Sequence, residues 1–131
     1  MTTTPEELSY TSDHEWLRRD DANTDEAVIG ITDFAQDQLG DVVYLDLPAE
    51  GDEVRAGERF GEVESVKTVS DLYAPISGEV LASNGELEEQ PELVNDSPYD
   101  EGWLIRVRIA DEAELDDLLD ADAYRAQLPA S

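Results

Sequence analysis

With 131 residues the chain is one domain's worth of polypeptide, and we expect a single domain over residues 1–131. Its 34 acidic residues against eight lysines and arginines give a net charge of −26, which excludes nucleic-acid binding through phosphate contacts and disfavours an anionic membrane. The sequence has no cysteine and one histidine, which excludes a thiol nucleophile and an iron–sulfur cluster and disfavours a histidine-based catalytic triad. Redox or covalent chemistry must therefore come from a cofactor.

The charge also bears on the environment. In molar salt the Debye length falls to ~3 Å, which screens repulsion between surface carboxylates, so the composition predicts a halophilic source. The N-terminal region has no basic start followed by an apolar run, which favours the cytoplasm. This charge, without a long apolar patch in the sequence, predicts a monomer that meets its partners transiently.

The first two thirds of the chain are predicted to be mainly β-structure with one helix. A short helix is expected near residues 33–39, where Asp33 and Gln36 have the spacing of a capping box and Gly40 supplies a stop. Glycine, proline, asparagine and aspartate separate several short β-like runs. These runs occupy residues 27–31, 42–47, 59–66, 69–74 and 78–82.

The last third combines a strand and a helix. Side chains alternate in character from Trp103 to Ile109, which predicts a half-buried strand. Asp111 and Glu114 have capping-box spacing, and leucines recur behind them at roughly helical intervals, so a C-terminal helix is predicted over residues 112–127. Short strands that fold back on one another predict a compact barrel or flattened sandwich.

No metal site is predicted. Asp21, Asn23 and Asp25 supply the alternating oxygens with which a calcium loop begins. Glu26, however, stands where such a loop requires glycine, and Thr32 stands where it requires a bidentate glutamate. We therefore reject a calcium site in this segment.

Lys67 is the most informative residue. It is the only lysine, since the other seven of the eight cations are arginines. A primary amine can lose its proton and form an amide or a Schiff base, whereas arginine would serve an ion pair with Glu62 or Glu64 at least as well. Two β-like runs flank Lys67, so we expect it at the exposed tip of a hairpin, where modification by another enzyme is favoured over catalysis.

The sequence around Lys67 resembles a known family. The segment ESVKTVSDLYAPISGEV, from Glu64 to Val80, is similar to the lipoyl-lysine hairpin of glycine cleavage system H proteins. Three further blocks of the sequence also match that family. All four blocks occur in the family's order, and the resemblance runs from about Leu8 to Leu128. These blocks are YTSDHEW at 10–16, GITDFAQDQLGDVV at 30–43, and NDSPY at 95–99 with Gly102-Trp103-Leu104.

The resemblance implies a mainly β barrel-sandwich hybrid with lipoate joined by an amide to Lys67. It implies a non-catalytic carrier that takes an aminomethyl group from the pyridoxal-phosphate enzyme glycine decarboxylase and presents it to the tetrahydrofolate-dependent aminomethyltransferase. The flavin-containing dihydrolipoamide dehydrogenase then reoxidises the arm, and a lipoate-attaching enzyme is a further implied partner. The absence of cysteine suits such a carrier, because protein thiols could exchange with the dithiolane.

Two carboxylates are implied as site residues. By the resemblance, Glu15 and Asp71 line the cleft in which the loaded arm rests, where a carboxylate can pair with the ammonium group of the cargo. Some members of the family have histidine at the position of Phe34. From the residues alone, Glu15 is more simply interpreted as one more surface acid.

Other interpretations belong to different classes. Biotinyl carriers typically place methionines beside the modified lysine, and here Val66 and Thr68 flank it. Lipoyl domains of 2-oxoacid dehydrogenases typically have Asp-Lys-Ala at the tip and lack the blocks that contain Trp16 and Trp103. An unmodified H-like adaptor, or a lipoate-relay protein, would have the same sequence around Lys67, so this alternative stays open.

Folding is expected to depend on salt, because repulsion among 34 acids must be screened for the compact state to be favoured. Circular dichroism during dialysis from molar salt into dilute buffer should show loss of structure. A melting temperature indifferent to salt would contradict the halophilic interpretation and leave the carrier interpretation intact.

Overall fold

The fold consists of two antiparallel sheets, seen in a computed structural model that describes residues 4–20, 22 and 25–128. The strands are β1 (Ser9–Tyr10), β2 (Glu15–Arg19), β3 (Glu26–Ile31), β4 (Val42–Asp46), β5 (Glu53–Val54), β6 (Arg59–Ser65), β7 (Val69–Tyr73), β8 (Gly78–Ser83) and β9 (Ile105–Ile109). Six of them form a sheet in the order β1-β2-β3-β9-β8-β5, and the other three form a sheet in the order β4-β6-β7. The mainly β, barrel-sandwich architecture expected from the sequence is confirmed.

The main core lies between the two sheets. Ile29, Val80 and Val107 face inward from the larger sheet, and Val63 and Leu72 face inward from the smaller one. All five side chains are almost fully buried. Burial of each such side chain contributes about 1.5–3 kcal/mol, so this layer holds the smaller sheet against the larger one.

A second apolar cluster covers the other face of the larger sheet. Tyr10, Trp16 and Val28 pack there against Tyr124 of the C-terminal helix α3 (Ala121–Gln127). The Trp16 indole lies directly on Gly30, where an added Cβ would come within 2.6 Å of the ring. Strands β2 and β3 are therefore buried on both faces, as the central strands of a covered sheet are.

Most predicted β-like runs are confirmed with boundaries shifted by a residue or two. The predicted strand 103–109 is shorter, because β9 begins at Ile105. The sequence analysis missed β1, β2 and β5, a 3-10 helix at Gly85–Glu88, and the short helix α2 (Leu93–Asp96). Strand β2 escapes detection because Trp16 and Leu17 are both buried, on opposite faces, so no alternation marks it.

The predicted helix near residues 33–39 is confirmed as α1 (Asp33–Leu39), but its cap is different. Thr32, not Asp33, is the N-cap, and its hydroxyl accepts a hydrogen bond from Ala35 N at 3.2 Å. The Gln36 side chain donates to the Asp33 carboxylate at 2.7 Å. Gly40, with φ of 77°, ends the helix as predicted.

The continuous C-terminal helix predicted over residues 112–127 is wrong. A 3-10 helix spans Glu112–Asp117, the chain then extends so that Leu119 and Tyr10 exchange backbone hydrogen bonds of 2.8 and 2.7 Å, and α3 begins afresh behind an Asp120 cap. The capping box is also absent, because Glu114 accepts instead from Ser77 N at 2.7 Å and Ser77 Oγ at 2.9 Å. Pairing with β1 thus overrides helical periodicity.

Asp21 and Asn23, from the segment considered as a calcium loop, lie outside the described residues. Across the described ranges, no group of three or more histidines and acids could hold a metal ion. Within the same ranges, no helix is both long and apolar enough to cross a membrane.

Candidate functional site

Lys67 lies at the tip of the hairpin formed by β6 and β7, as predicted. The tip needs no Asn-Gly pair, because the Ser65 hydroxyl accepts hydrogen bonds from Lys67 N at 3.2 Å and Thr68 N at 3.1 Å. Ser65 N in turn donates to Thr68 O at 2.8 Å. The serine side chain thereby supplies the local turn bonds that glycine-based hairpins make with the backbone alone.

The hairpin tip rests on the junction between α1 and β4. Val66 N donates to Asp41 O at 3.0 Å. Asn95 of α2 braces the same junction, since its side chain donates to Gly40 O at 2.8 Å and accepts from Val42 N at 2.9 Å. The Lys67 side chain lies over Gly40, where an added Cβ would come within 3.1 Å of Lys67 Cε. The outer part of the lysine side chain therefore lies against Gly40.

The amine of Lys67 is available for chemistry. Lys67 is exposed, and it forms no ion pair with any acid that the structure describes. The neighbouring acid Glu62, a conceivable partner, is instead paired with Arg59 at 2.8 Å. An ion-pair role for Lys67 thus finds no support in the geometry.

A cleft of about 310 Å³ opens beside the hairpin, between α1 and β7. Phe34 and Leu39 of α1 form one wall, and Asp71 and Leu72 of β7 form another. Glu15, at the start of β2, also lines it. The structure therefore brings Glu15 and Asp71, predicted as site residues, to one cleft, whose β7 wall begins at Ser70, three residues after Lys67.

Glu15 is buried, which corrects its interpretation as a surface acid: only 1% of the residue is exposed. Its carboxylate accepts hydrogen bonds from the Thr11 hydroxyl at 2.7 Å and from Tyr73 N at 3.2 Å. Burial raises the pKa of Glu15 to about 8, and these two hydrogen bonds only partly oppose that rise. At neutral pH this pKa favours the protonated, neutral form of the Glu15 carboxyl group.

Asp71 is in a different state. Its side chain is 46% exposed at the rim of the cleft, and its carboxylate accepts a hydrogen bond from Arg59 Nε at 3.0 Å. Arg59 also binds Glu62, so the guanidinium bridges two acids on neighbouring strands. Asp71 is thus a partly screened charge at the cleft mouth, whereas Glu15 is a protected group at its base.

Sequence reasoning missed the polar network behind α1. His14 has a left-handed backbone with φ of 71°, and its Nδ1 lies 2.7 Å from the Tyr124 hydroxyl. That hydroxyl also lies 2.7 Å from Thr32 Oγ1, the cap of α1. Burial lowers the pKa of His14, whose ring packs 4.9 Å from the ring of Phe34. No sequence signal links residues 14, 32 and 124, because the fold alone brings them together.

A small two-sheet protein that presents a lone lysine on a braced hairpin beside a partly acidic cleft has the architecture of a carrier domain for a swinging arm. The comparisons with known proteins specify the family. The family model described as "Glycine cleavage H-protein" matches residues 8–130. The chain belongs to the glycine cleavage H-protein family, whose members are carrier subunits of the glycine cleavage system.

Relatives and a solved structure agree with this assignment. The chain is 54% identical over 122 residues to a glycine cleavage system H protein of Bacteroides fragilis, covering 93% of this chain and 94% of that protein. It is 53% identical over 124 residues to a probable glycine cleavage system H protein of Haloarcula marismortui, covering 95% of each. The crystal structure of a glycine cleavage system H protein from Mycobacterium marinum matches with a TM-score of 0.82 and 41% identity, covering 94% and 97% of the two chains. Relatives this diverse do not support a halophilic source.

Glu15→Gln should change how stability varies with pH. Because the pKa of Glu15 is raised from 4.5 to about 8, the folded protein retains a proton that the unfolded chain loses within that range. As the pH rises from 4.5 to 8, the unfolding free energy of the wild type should therefore fall relative to that of Glu15→Gln, by up to about 1.4 kcal/mol per pH unit.

Urea unfolding of both proteins at constant salt measures this difference. The exposed substitution Glu53→Gln serves as a control and should follow the wild-type profile. Parallel profiles for the wild type and Glu15→Gln would show that Glu15 is ionised in the folded protein.

Proposed function

We propose that this chain is the lipoyl carrier of a glycine cleavage system, with lipoate attached through an amide to Lys67. The observation that carries the proposal is the placement of the only lysine on a braced hairpin tip beside a cleft. We further propose that residues 1–131 act as one carrier domain in the cytoplasm, as a monomer.

The proposed partners are those of the glycine cleavage system. The carrier receives an aminomethyl group from glycine decarboxylase, presents it to the aminomethyltransferase and is reoxidised by dihydrolipoamide dehydrogenase, and a further enzyme attaches lipoate. The lipoyl group supplies the reactive disulfide when it is bound, and the chain itself contributes no thiol. The chain's own task is therefore to position the lipoyl arm and to shelter its cargo.

The residues around Lys67 suit a lipoyl amide. Lys67 is exposed and has no ion pair with a described acid, and the backbone bond from Val66 N to Asp41 O holds the tip, so the root of the arm has a fixed origin. Ser70 and Leu72, which line the cleft, lie on β7, the strand that begins two residues after Lys67. An arm rooted at Lys67 can therefore fold back along β7 into the α1–β7 cleft.

We propose that Glu15 and Asp71 hold the cationic end of the cargo in that cleft. With its pKa raised to about 8, Glu15 is mostly protonated at neutral pH, but a nearby ammonium group lowers the pKa of a carboxyl and favours its charged form. Asp71 already makes a charge-assisted hydrogen bond with Arg59 at the rim. Asp71 thus supplies negative charge at the rim of the cleft. Glu15, at its base, stays mostly neutral until the cation is bound.

Membership in the glycine cleavage H-protein family argues against the two alternatives of a biotinyl carrier and a 2-oxoacid dehydrogenase lipoyl domain. An unmodified adaptor or lipoate-relay protein is the remaining alternative. It has the same residues at the hairpin, so only the chemical state of Lys67 and turnover distinguish it from the shuttle.

Lys67→Arg should abolish glycine cleavage in a reconstituted system and leave the fold unchanged, because arginine keeps the charge but cannot accept the lipoyl amide. Intact mass should show one lipoyl group on the wild type after treatment with a lipoate-attaching enzyme and none on the variant. A lysine-specific protease should cut the unmodified, denatured chain only after Lys67, and it should not cut the lipoylated chain.

Glycine-dependent turnover by Lys67→Arg would contradict the shuttle mechanism. A wild-type chain that stays unmodified in its host growing on glycine would make the unmodified adaptor the leading interpretation.

Glu15→Gln and Asp71→Asn should leave lipoylation normal and shorten the time for which the loaded carrier retains its cargo. Each removes one charge-assisted contact, roughly 1.5–3 kcal/mol at the shielded Glu15 and less at the exposed Asp71. Release of formaldehyde and ammonia from the loaded carrier is the measurement. Equal decay in the wild type and both variants would remove these residues from the proposed site.

A further inference from the structure

The large hydrophobic side chains that the described structure leaves exposed gather around Lys67. They are Val43, Tyr44, Val66 and Val69, each at least half exposed. Val66 precedes Lys67, and Val69 opens the strand that follows it. We call these four residues the tip patch. Its apolar character is unusual in a chain in which 34 of 131 residues are acids.

Strand register places part of the tip patch on one face of the smaller sheet. Tyr44 pairs with Glu64, and Glu64 pairs with Val69, so the three residues form one row across β4, β6 and β7. Paired residues point to the same side, and two strand spacings separate Tyr44 from Val69 by about 10 Å. Because Val63, the neighbour of Glu64, faces the core, this row faces outward.

A bulge between Val42 and Tyr44 creates the exposure in β4. Val42 is buried at 3%, whereas Val43 and Tyr44 are 50% and 55% exposed. In a regular strand Val42 and Tyr44, two residues apart, would share the inward face, whereas the bulge pairs them with the adjacent residues Ser65 and Glu64 and puts them on opposite faces. The bulge therefore turns an aromatic ring out of the core and toward the side of the sheet that ends at Lys67.

We propose, on the basis of the proposed function, that the tip patch is the docking surface for the enzyme that acylates Lys67. In this reaction the Lys67 ammonium group first loses a proton, and Nζ then attacks an activated acyl group such as an acyl adenylate. The new amide C–N bond forms as the bond to the adenylate phosphate breaks, and Nζ releases a second proton.

Reach selects this enzyme over the other partners. Before modification the reacting amine is one lysine side chain away from the tip, and that side chain lies against Gly40, so the acylating enzyme must come close to the residues around Lys67. Once lipoate is attached, the reacting atoms lie beyond the full length of the arm, and an enzyme that acts there has no need of the tip patch. Tyr44 in such a position provides an aromatic anchor for a docked protein, and the three valines add apolar area around it.

Charge further defines the partner. The next row on the same face, further from the hairpin tip, contains Asp46, Glu62 and Asp71 in register across the sheet. Arg59 binds the last two of these acids. A matching enzyme surface has an apolar centre with lysine or arginine on the side that meets this row. A second copy of this chain fits poorly, because four side chains fall short of the about 1,000 Å² of a stable interface and each copy carries −26.

The test compares a triple variant, Tyr44→Thr with Val66→Thr and Val69→Thr, with the control Tyr44→Phe. Threonine keeps the β-branched shape or strand preference of these positions, and circular dichroism checks the fold. A purified ligase with lipoate and ATP acylates each protein, and intact mass follows the rate. We expect kcat/KM for the triple variant to fall about tenfold or more, and Tyr44→Phe to stay near the wild type.

Two further measurements separate docking from other causes. A small N-hydroxysuccinimide ester should acylate Lys67 equally fast in the wild type and the triple variant, because the amine itself is unchanged. Fully lipoylated wild type and triple variant should be reduced equally fast by dihydrolipoamide dehydrogenase.

Equal ligase rates, equal losses with the ligase and the dehydrogenase, a slower reaction with the ester, or a wild-type dimer that the triple variant abolishes would each overturn the docking inference. Failure of the ligase to modify even the wild type would overturn the proposed function, and this inference with it.

Discussion

The hydrogen bond from Val66 N to Asp41 O is the constraint on which the site depends. Residues 66–68 lie beyond the strand pairs of the hairpin, and this bond ties them to the end of α1 and the start of β4. Asn95 makes the bond effective, because it fixes Gly40 and Val42 on both sides of Asp41. The tip, the end of α1 and the start of β4 therefore form one rigid unit, with Lys67 at its surface and the cleft beneath it.

The acids of this protein fall into two physical classes. Exposed carboxylates interact through solvent, and salt screens their mutual repulsion. Glu15 lies in the protein interior, where salt has little access, and burial instead keeps its proton in place. The dense surface charge consequently says little about the cleft, where burial and two hydrogen bonds set the pKa of Glu15.

Local sequence patterns predicted the elements whose structure depends on residues near to one another in the chain. The hairpin around Lys67, the helix α1 and its glycine stop followed from composition and spacing, and resemblance to the family identified Glu15 and Asp71 as neighbours in a cleft. Long-range contacts decided the rest. Leu119 pairs with Tyr10 and interrupts the predicted C-terminal helix, and nothing in the sequence near Leu119 reports that partner.

Burial on both faces caused the other omissions. Strand β2 lies between two apolar clusters, so Trp16 and Leu17 give it no alternating pattern. The burial of Glu15 was equally invisible, because an acid at the start of an unrecognised strand resembles every other acid of the chain. The same applies to the bond between His14 and Tyr124, which joins residues 110 positions apart.

Arginine and lysine divide their tasks in this structure. Five arginines bind acids, and three of them, Arg59, Arg106 and Arg125, each join two acids, which suits the forked guanidinium group. These five are Arg19, Arg59, Arg106, Arg108 and Arg125. Arg18 donates to Tyr99 O and packs over Trp16. With these ion pairs and packing contacts made by arginine, the chain offers a single side-chain amine for the proposed acylation, and the selectivity of that reaction does not depend on an enzyme rejecting other lysines.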